Sequence, residues 1–124
     1  MPRLHWLLFL VILAGGIASA QAPLVTNVTM TQSPTPISTQ VDIHYDLVAP
    51  NGPCDITVLL SKDSGVTYDF SVTSISGDVT GINTGTGYHI IWDVATDYPE
   101  EYIPNSAIRI IADDGIVQHT LTYT

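Results

Sequence analysis

The chain has 124 residues, with 3 basic and 12 acidic side chains and a formal net charge of −9. This acidic balance disfavours nucleic acid and anionic membrane surfaces as partners, because both would be repelled. The single cysteine, Cys54, excludes an intramolecular disulfide, so a domain of this size depends on its apolar core.

The first twenty residues are typical of a secretory signal peptide. Arg3 precedes an apolar run over residues 6–17, and the small residues Ala-Ser-Ala follow at 18–20. A retained membrane anchor is the less favoured alternative, because the apolar run is shorter than the roughly 20 residues that a bilayer core requires. We therefore predict cleavage after residue 20 and a secreted domain, extracellular or periplasmic, that begins at Gln21.

Apolar and polar residues then alternate with the period of a β-strand, and turn residues interrupt the alternation. The first two predicted strands are Leu24–Gln32 and Gln40–Val48, with proline-containing turns after each. A third strand is expected over residues 56–60. A fourth, over residues 68–72, follows a short turn. No stretch after the signal peptide has a convincing helical period.

The middle of the chain predicts an irregular stretch. Residues 76–87 contain four glycines and little periodicity, which indicates a long loop with a short extra strand around Val79. The alternation returns over Tyr88–Val94. Two prolines in residues 97–105 then indicate a crossing between sheets.

The last two predicted strands, Ser106–Asp113 and Ile116–Tyr123, are joined by Asp113-Asp114-Gly115, a strong signal for a tight hairpin. Seven strands in about a hundred residues predict an all-β fold, a seven-stranded antiparallel β-sandwich of immunoglobulin-like or fibronectin type III-like architecture. Antibody domains carry their tryptophan on the third strand beside a disulfide, whereas Trp92 lies on the fifth predicted strand and the chain has one cysteine. We therefore predict the sandwich architecture and not membership of the antibody family. The predicted core is Ile43, Tyr45, Val58, Leu60, Phe70, Ile90, Trp92, Ile108 and Ile110.

Six segments in order carry a family resemblance: Val25–Val28, Val41–Leu47, Ser61–Tyr68, Ser76–Val79, Gly87–Asp93 and Arg109–Gly115. Together they resemble a bacterial secreted immunoglobulin-like module. That module is similar to the domain found N-terminal to formylglycine-generating (sulfatase-modifying) enzyme-like domains. The resemblance implies a fold and brings no catalytic residues or cofactor, because its motifs consist of turn and core residues.

The segment from Ser61 to Tyr68 also resembles an Asp-box, a hairpin motif of sialidases and other secreted β proteins. Asp63 is expected to accept hydrogen bonds from backbone N–H groups of the turn. Gly65 is expected to adopt a positive φ, and Tyr68 to pack the hairpin onto the sheet. We predict a structural turn and not a ligand site, because such side chains satisfy backbone groups first.

Metal-ligating residue types occur, but their spacing is poor. Asp42, His44 and Asp46 share one strand face, yet residues two apart on a strand are about 6.6 Å apart, which favours a solvated face over a metal site. A calcium site is a less favoured alternative, because the spacing of its candidates matches no calcium-loop template. Those candidates are Asp93, Asp97, Glu100, Glu101, Asp113 and Asp114. Cys54 shares the inward face of its strand, which predicts an inert buried thiol.

Three functions stay open, and none of them is enzymatic. The favoured one is a secreted non-catalytic module that acts as an accessory, spacer or binding domain, with an unknown protein or carbohydrate partner. The second is a structural subunit of an extracellular filament or surface layer, assembled through edge strands. The third is the N-terminal accessory domain of a truncated formylglycine-generating-enzyme-like protein. Nucleic acid and, after signal cleavage, membranes are not expected as partners.

Overall fold

The computed structural model describes residues 21–32, 40–99 and 103–116. Within these ranges it contains seven β-strands and one helical turn. In chain order they are β1 (Leu24–Gln32), β2 (Gln40–Val48), β3 (Asp55–Ser61), β4 (Phe70–Val72), β5 (Ile75–Gly77), β6 (Gly85–Asp93), α1 (Val94–Asp97) and β7 (Ala107–Asp113). Every strand pair is antiparallel. The protein is therefore all-β, as the alternation predicts.

The strands form two sheets, with the orders β1-β2-β6-β5 and β4-β3-β7. The chain changes sheet between β2 and β3, between β4 and β5, and again through α1 before β7. In the first sheet Ile43 lies opposite Ile90, and in the second Val58 lies opposite Ile110. Because side chains alternate along a strand, these pairs direct every second residue towards a common interior.

A single core cluster takes residues from both sheets. Its members are Val41, Ile43, Tyr45, Leu47, Cys54, Ile56, Val58, Leu60, Val72, Ile82, Ile90, Trp92 and Ile110. Tyr45 is fully buried, and its hydroxyl donates a hydrogen bond to the Asp78 carbonyl oxygen at 2.6 Å. Burial, followed by the nearby negative charge of Asp78, raises the pKa of Tyr45 well above its ordinary value. A large ring with a satisfied polar end thus occupies the centre of the core.

Two of the predicted core residues are not fully buried: Ile108 packs against the core cluster, and Phe70 lies outside it. Phe70 is 37% exposed, and Ile108 is only partly buried. The placement of Phe70 in the core was wrong because β4 is a three-residue strand at the edge of its sheet. There the Phe70 ring contacts the Lys62 ammonium group, 4.3 Å from the ring centre. The other predicted core residues are all buried: Ile43, Tyr45, Val58, Leu60, Ile90, Trp92 and Ile110.

The glycine-rich stretch differs most from the prediction. The extra strand is β5, which ends before Val79, and β6 begins at Gly85 instead of Tyr88. Backbone hydrogen bonds tie the stretch between them to the start of β3: the Ile56 N–H donates to Val79 and the Ile82 N–H donates to Cys54, both at 2.8 Å. These pairings involve backbone groups, so the side-chain pattern does not indicate them.

The described strands number seven, but they are not the predicted seven. They include β5 at Ile75–Gly77, whereas a short extra strand was expected around Val79, and β4 begins at Phe70, so Tyr68 lies before it. The predicted strand Ile116–Tyr123 lies outside the described residues except for Ile116, and the predicted signal peptide, residues 1–20, lies outside them entirely. The helical turn α1 follows β6 where the prediction extended the strand to Val94.

Candidate functional site

The turn after β3 is held together by its own side chains. Ser61 is fully buried, and its hydroxyl donates to Asp63 Oδ1 at 2.7 Å while accepting the Gly65 N–H at 2.8 Å. Asp63 in turn accepts the Thr67 N–H at 2.8 Å and the Thr67 hydroxyl at 2.6 Å. Gly65 has φ +90°, which a residue with a side chain rarely adopts. Both carboxylate oxygens of Asp63 are therefore used within the turn.

Tyr68 connects this turn to the second sheet. Its hydroxyl lies next to Gly65, where an added Cβ would be 3.1 Å away. The Arg109 guanidinium on β7 stacks over the Tyr68 ring, 4.2 Å from the ring centre. Arg109 was not part of the predicted turn, because it is distant in sequence and its approach depends on the pairing of β3 with β7. The structure thus brings Ser61, Asp63, Gly65 and Tyr68 into one loop.

Replacing Asp63 by alanine should lower the melting temperature. The hydrogen bonds from Ser61 first, and then those from the Thr67 side chain and backbone, lower the pKa of Asp63 to about 2. The ionised carboxylate is therefore the form that the turn requires. Differential scanning calorimetry checks the prediction, with Asp69→Ala in the same loop as an exposed aspartate control that should leave the melting temperature unchanged. Equal melting temperatures for the two variants would contradict a structural role.

Asp97, at the end of α1, reaches the turn between β4 and β5. Its Oδ2 accepts the N–H groups of Thr73 at 2.9 Å and Ser74 at 3.1 Å, and its Oδ1 accepts both of their hydroxyls at 2.8 Å. The indole Nε1–H of Trp92 also donates to Oδ2, at 2.9 Å. One carboxylate therefore joins α1, the β4–β5 turn and the core tryptophan.

The electrostatics of Asp97 follow from these contacts. Burial of the carboxyl acts to raise its pKa, but the hydrogen bonds from Ser74 and Thr73 outweigh burial and hold the pKa far below the ordinary value. Five donors on two oxygens define a structural role for Asp97, whereas the sequence indicated it only as a candidate calcium ligand. The signal that sequence reasoning missed is the Thr-Ser pair, which supplies four of the five donors but lies on a distant turn.

The other carboxylates considered for calcium occupy local turns. Asp113 Oδ1 accepts the Gly115 N–H at 2.8 Å, and Asp114 Oδ1 accepts the Ile116 N–H at 2.9 Å. Asp93 Oδ2 accepts the Thr96 hydroxyl at 2.9 Å. Glu100 and Glu101 lie outside the described residues. Across the ranges given above, no group of three or more His, Cys, Asp or Glu side chains could hold a metal ion.

Acid should destabilise the protein through Asp63 and Asp97. Both groups have a lowered pKa when folded, so their contribution to stability is complete above the ordinary value of 3.8 and is lost as the pH falls through the folded-state value. We expect the melting temperature to be steady from neutral pH to about pH 5 and to fall steeply between about pH 4 and pH 2. Differential scanning calorimetry from pH 7 to about pH 2 measures the melting temperature. A melting temperature that stays level down to about pH 2 would contradict the assignment.

The outward face of β2 and β6 places two histidines together. His44 lies directly opposite His89 in the strand register. Their rings are stacked with centres 4.4 Å apart and planes within 3° of parallel. The Nε2 atom of His89 lies 2.9 Å from Oδ1 of Asp42. The sequence places Asp42, His44 and Asp46 on one strand face, and it does not indicate His89 because that residue lies on a different strand.

Asp46 has a different role from its neighbours on that face. It accepts the Asn27 side-chain N–H at 2.7 Å and the Gly87 N–H at 2.8 Å. Asn27 has φ +53° and lies where the register of β1 shifts between Thr26 and Thr29. The hydrogen bond from Asn27, and then that from Gly87, lowers the pKa of Asp46. This aspartate therefore stabilises a β-bulge in β1.

Cys54 is fully buried and is not part of a disulfide. It pairs with Ile82 through an isolated β-bridge. Burial raises the pKa of the Cys54 thiol, and the negative charges of Asp114, Asp113 and Asp55 raise it further. Because the thiolate is the reactive form, a thiol in this setting is a weak nucleophile. The inward orientation agrees with the parity of the strand.

A cleft of about 300 Å³ opens beside Trp92. Its apolar lining is Met30, Val41, Trp92, Val94 and Ile103, and Gln32 and Ser106 add polar groups. This volume is at the lower end of the range for small-molecule pockets. The cleft lies where the end of β1 faces the start of β7.

In the part of the chain that the structure describes, no helix combines the length and the apolar character needed to cross a membrane. A comparison of the chain with models of protein families, with curated proteins and with solved structures finds no match.

Proposed function

We propose that the protein is an exported, non-catalytic module of immunoglobulin-like architecture that acts as an accessory, spacer or binding domain. The strand orders support this architecture. The order β1-β2-β6-β5 corresponds to the A-B-E-D sheet of an immunoglobulin constant-type domain, and β4-β3-β7 corresponds to strands C′, C and F of the opposite sheet. The tryptophan differs, because Trp92 lies on the strand that corresponds to E and not to C.

The hydrogen bonding of three aspartates is the observation that supports a non-catalytic role. Asp46, Asp63 and Asp97 each accept hydrogen bonds from donors that belong to turns or bulges. These bonds lower the pKa of all three carboxyls. A general acid or base works best with a pKa near the operating pH, so the shifts make these groups less suited to proton transfer at neutral pH. These carboxylates stabilise the turns and the bulge by accepting hydrogen bonds.

A structural subunit is the second candidate, and β1 is the observation that favours it. β1 is nine residues long, lies at the edge of its sheet and contains no charged side chain. A long uncharged edge is the kind of strand to which another strand can add. Among the described strands the other edges are β4 and β5, with three residues each, and β7, whose seven residues include the charged Arg109 and Asp113.

Light scattering coupled to size exclusion separates these two candidates. The purified protein should elute as a monomer over a wide range of concentration if it is an accessory module. Electron microscopy of concentrated samples should then show no ordered polymers. Regular filaments or sheets, abolished by a proline substitution of Thr29 in β1, would contradict the module and favour the structural subunit.

Export is tested separately. Residues 1–20 fused to a phosphatase that is active only after export should give phosphatase activity, and the mature protein should begin at Gln21. We expect the substitution of Arg3 by glutamate to reduce export, because signal peptides carry a positive N-terminal region. A fusion that stays inactive inside the cell would contradict the export proposal and leave the monomer measurement unaffected.

A further inference from the structure

The stacked histidines His44 and His89 lie on the outer face of the β1-β2-β6-β5 sheet, away from the core. We propose that these two side chains bind a divalent copper ion, with water completing the coordination. The site is independent of the proposed function, because none of its residues belongs to the turns that hold the sheets together. It uses two protein ligands and so differs from the three-residue clusters considered above.

The strand register brings the two rings within reach of one ion. Residues directly opposite each other on antiparallel strands have Cβ atoms about 4.5–5.5 Å apart, and the ring centres of His44 and His89 are 4.4 Å apart. The lone pairs lie in the ring planes, so the His44 ring must rotate out of the parallel stack to converge with His89 on the ion. His44 is exposed, so this rotation displaces mainly water and leaves the contact between His89 and Asp42 in place.

Asp42 supplies the second feature of a histidine metal site. Its Oδ1 lies 2.9 Å from Nε2 of His89. When Oδ1 accepts a hydrogen bond from the Nε2–H group, the lone pair of the neutral His89 ring lies on Nδ1, where it can bind the ion. Histidines that bind metals usually donate their other N–H to a carboxylate in this way, which fixes the tautomer and increases the basicity of the ligand.

The choice of ion follows from the ligands. Imidazole binds copper, zinc and nickel, and among divalent first-row ions copper binds most tightly to a given set of nitrogen ligands. Two nitrogens with water suit the square-planar geometry of Cu²⁺. The net charge of −9 also attracts a cation to the surface.

Copper titration of the tag-free protein tests the proposal. Calorimetry should show one Cu²⁺ per chain, and electron paramagnetic resonance should show two nitrogen ligands. His44→Phe and His89→Phe retain an aromatic ring in the stack but remove the ligand, so each should weaken binding at least tenfold and leave at most one nitrogen. Asp42→Asn should weaken binding by about tenfold, the lower end of the effect of losing a carboxylate partner. His119→Ala is the control, because it replaces the third histidine that remains after the predicted cleavage, and it should leave copper binding unchanged.

Unaltered copper affinity and nitrogen count in His44→Phe or His89→Phe would overturn the site. Loss of binding in His119→Ala, with binding retained in the other variants, would overturn it as well. Far-ultraviolet circular dichroism of each variant verifies the fold. If either phenylalanine variant does not fold, the unmodified protein is titrated with Zn²⁺ and followed by nuclear magnetic resonance. The chemical shifts of the His44 and His89 ring nitrogens should both change in proportion to occupancy. Unchanged chemical shifts would overturn the proposal.

Discussion

Replacing Asp97 by alanine should lower the free energy of unfolding by about 3 kcal/mol or more. The substitution leaves the N–H groups and hydroxyls of Thr73 and Ser74, together with the indole N–H of Trp92, without their acceptor. Hydrogen bonds to a charged group contribute about 1.5–3 kcal/mol each, and a donor left buried without a partner adds a desolvation cost. Trp92 is 2% exposed, so water cannot easily replace the lost contact.

Urea unfolding followed by tryptophan fluorescence measures this effect. The chain has two tryptophans, Trp6 and Trp92, so after the predicted cleavage Trp92 alone reports, and it donates directly to Asp97. Asp97→Asn should have an intermediate effect, because the amide keeps one acceptor oxygen. Thr96→Ala in the same helical turn is the control and should cost less than about 1 kcal/mol, since it removes one exposed hydrogen bond. A loss below about 0.5 kcal/mol in Asp97→Ala would show that the carboxylate does not hold the turn in place.

Gly77→Ala should destabilise the protein by about 3 kcal/mol or more. Gly77 has φ +102°, a conformation that residues with side chains rarely adopt, and a Cβ there would lie 2.5 Å from the carbonyl oxygen of His89. The obstacle is backbone and cannot rotate away. Strained backbone costs about 1–3 kcal/mol, and forced displacement of packed groups costs a similar amount.

Gly81→Ala is the matched control for this substitution. Gly81 also has a positive φ, +64°, but a Cβ there would meet nothing within 4 Å. It should therefore cost only the conformational term, about 1 kcal/mol. Urea unfolding of both variants gives the comparison. Equal effects at the two positions would mean that the close approach between β5 and β6 does not occur in solution.

The first two strands could be predicted from the sequence to the residue. β1 and β2 begin and end where the prediction places them, at Leu24–Gln32 and Gln40–Val48. β2 alternates strictly, and a proline-containing turn follows each strand, so local sequence contains the necessary information. The bounds of β5 could not be predicted, because it is three residues long and its pairing with β6 is decided by backbone contacts.

Within the candidate sites, local contacts could be predicted from the sequence and contacts between distant segments could not. The contacts among Ser61, Asp63 and Gly65 lie within five residues, and the turn chemistry of those residue types predicts them. The contact between Asp97 and the Thr73-Ser74 pair depends on how the chain crosses between the sheets. Periodicity identifies which face a side chain occupies, but it does not identify the neighbour that another strand brings to that face.

Cross-strand nuclear Overhauser effects show whether the strands belong to two sheets. We expect backbone contacts between Ile43 and Ile90 and between Val58 and Ile110. We also expect no pairing between β2 and β3, although they follow each other in the chain. Antiparallel contacts between β2 and β3, as in a simple meander, would contradict the two-sheet arrangement and the immunoglobulin-like proposal that depends on it.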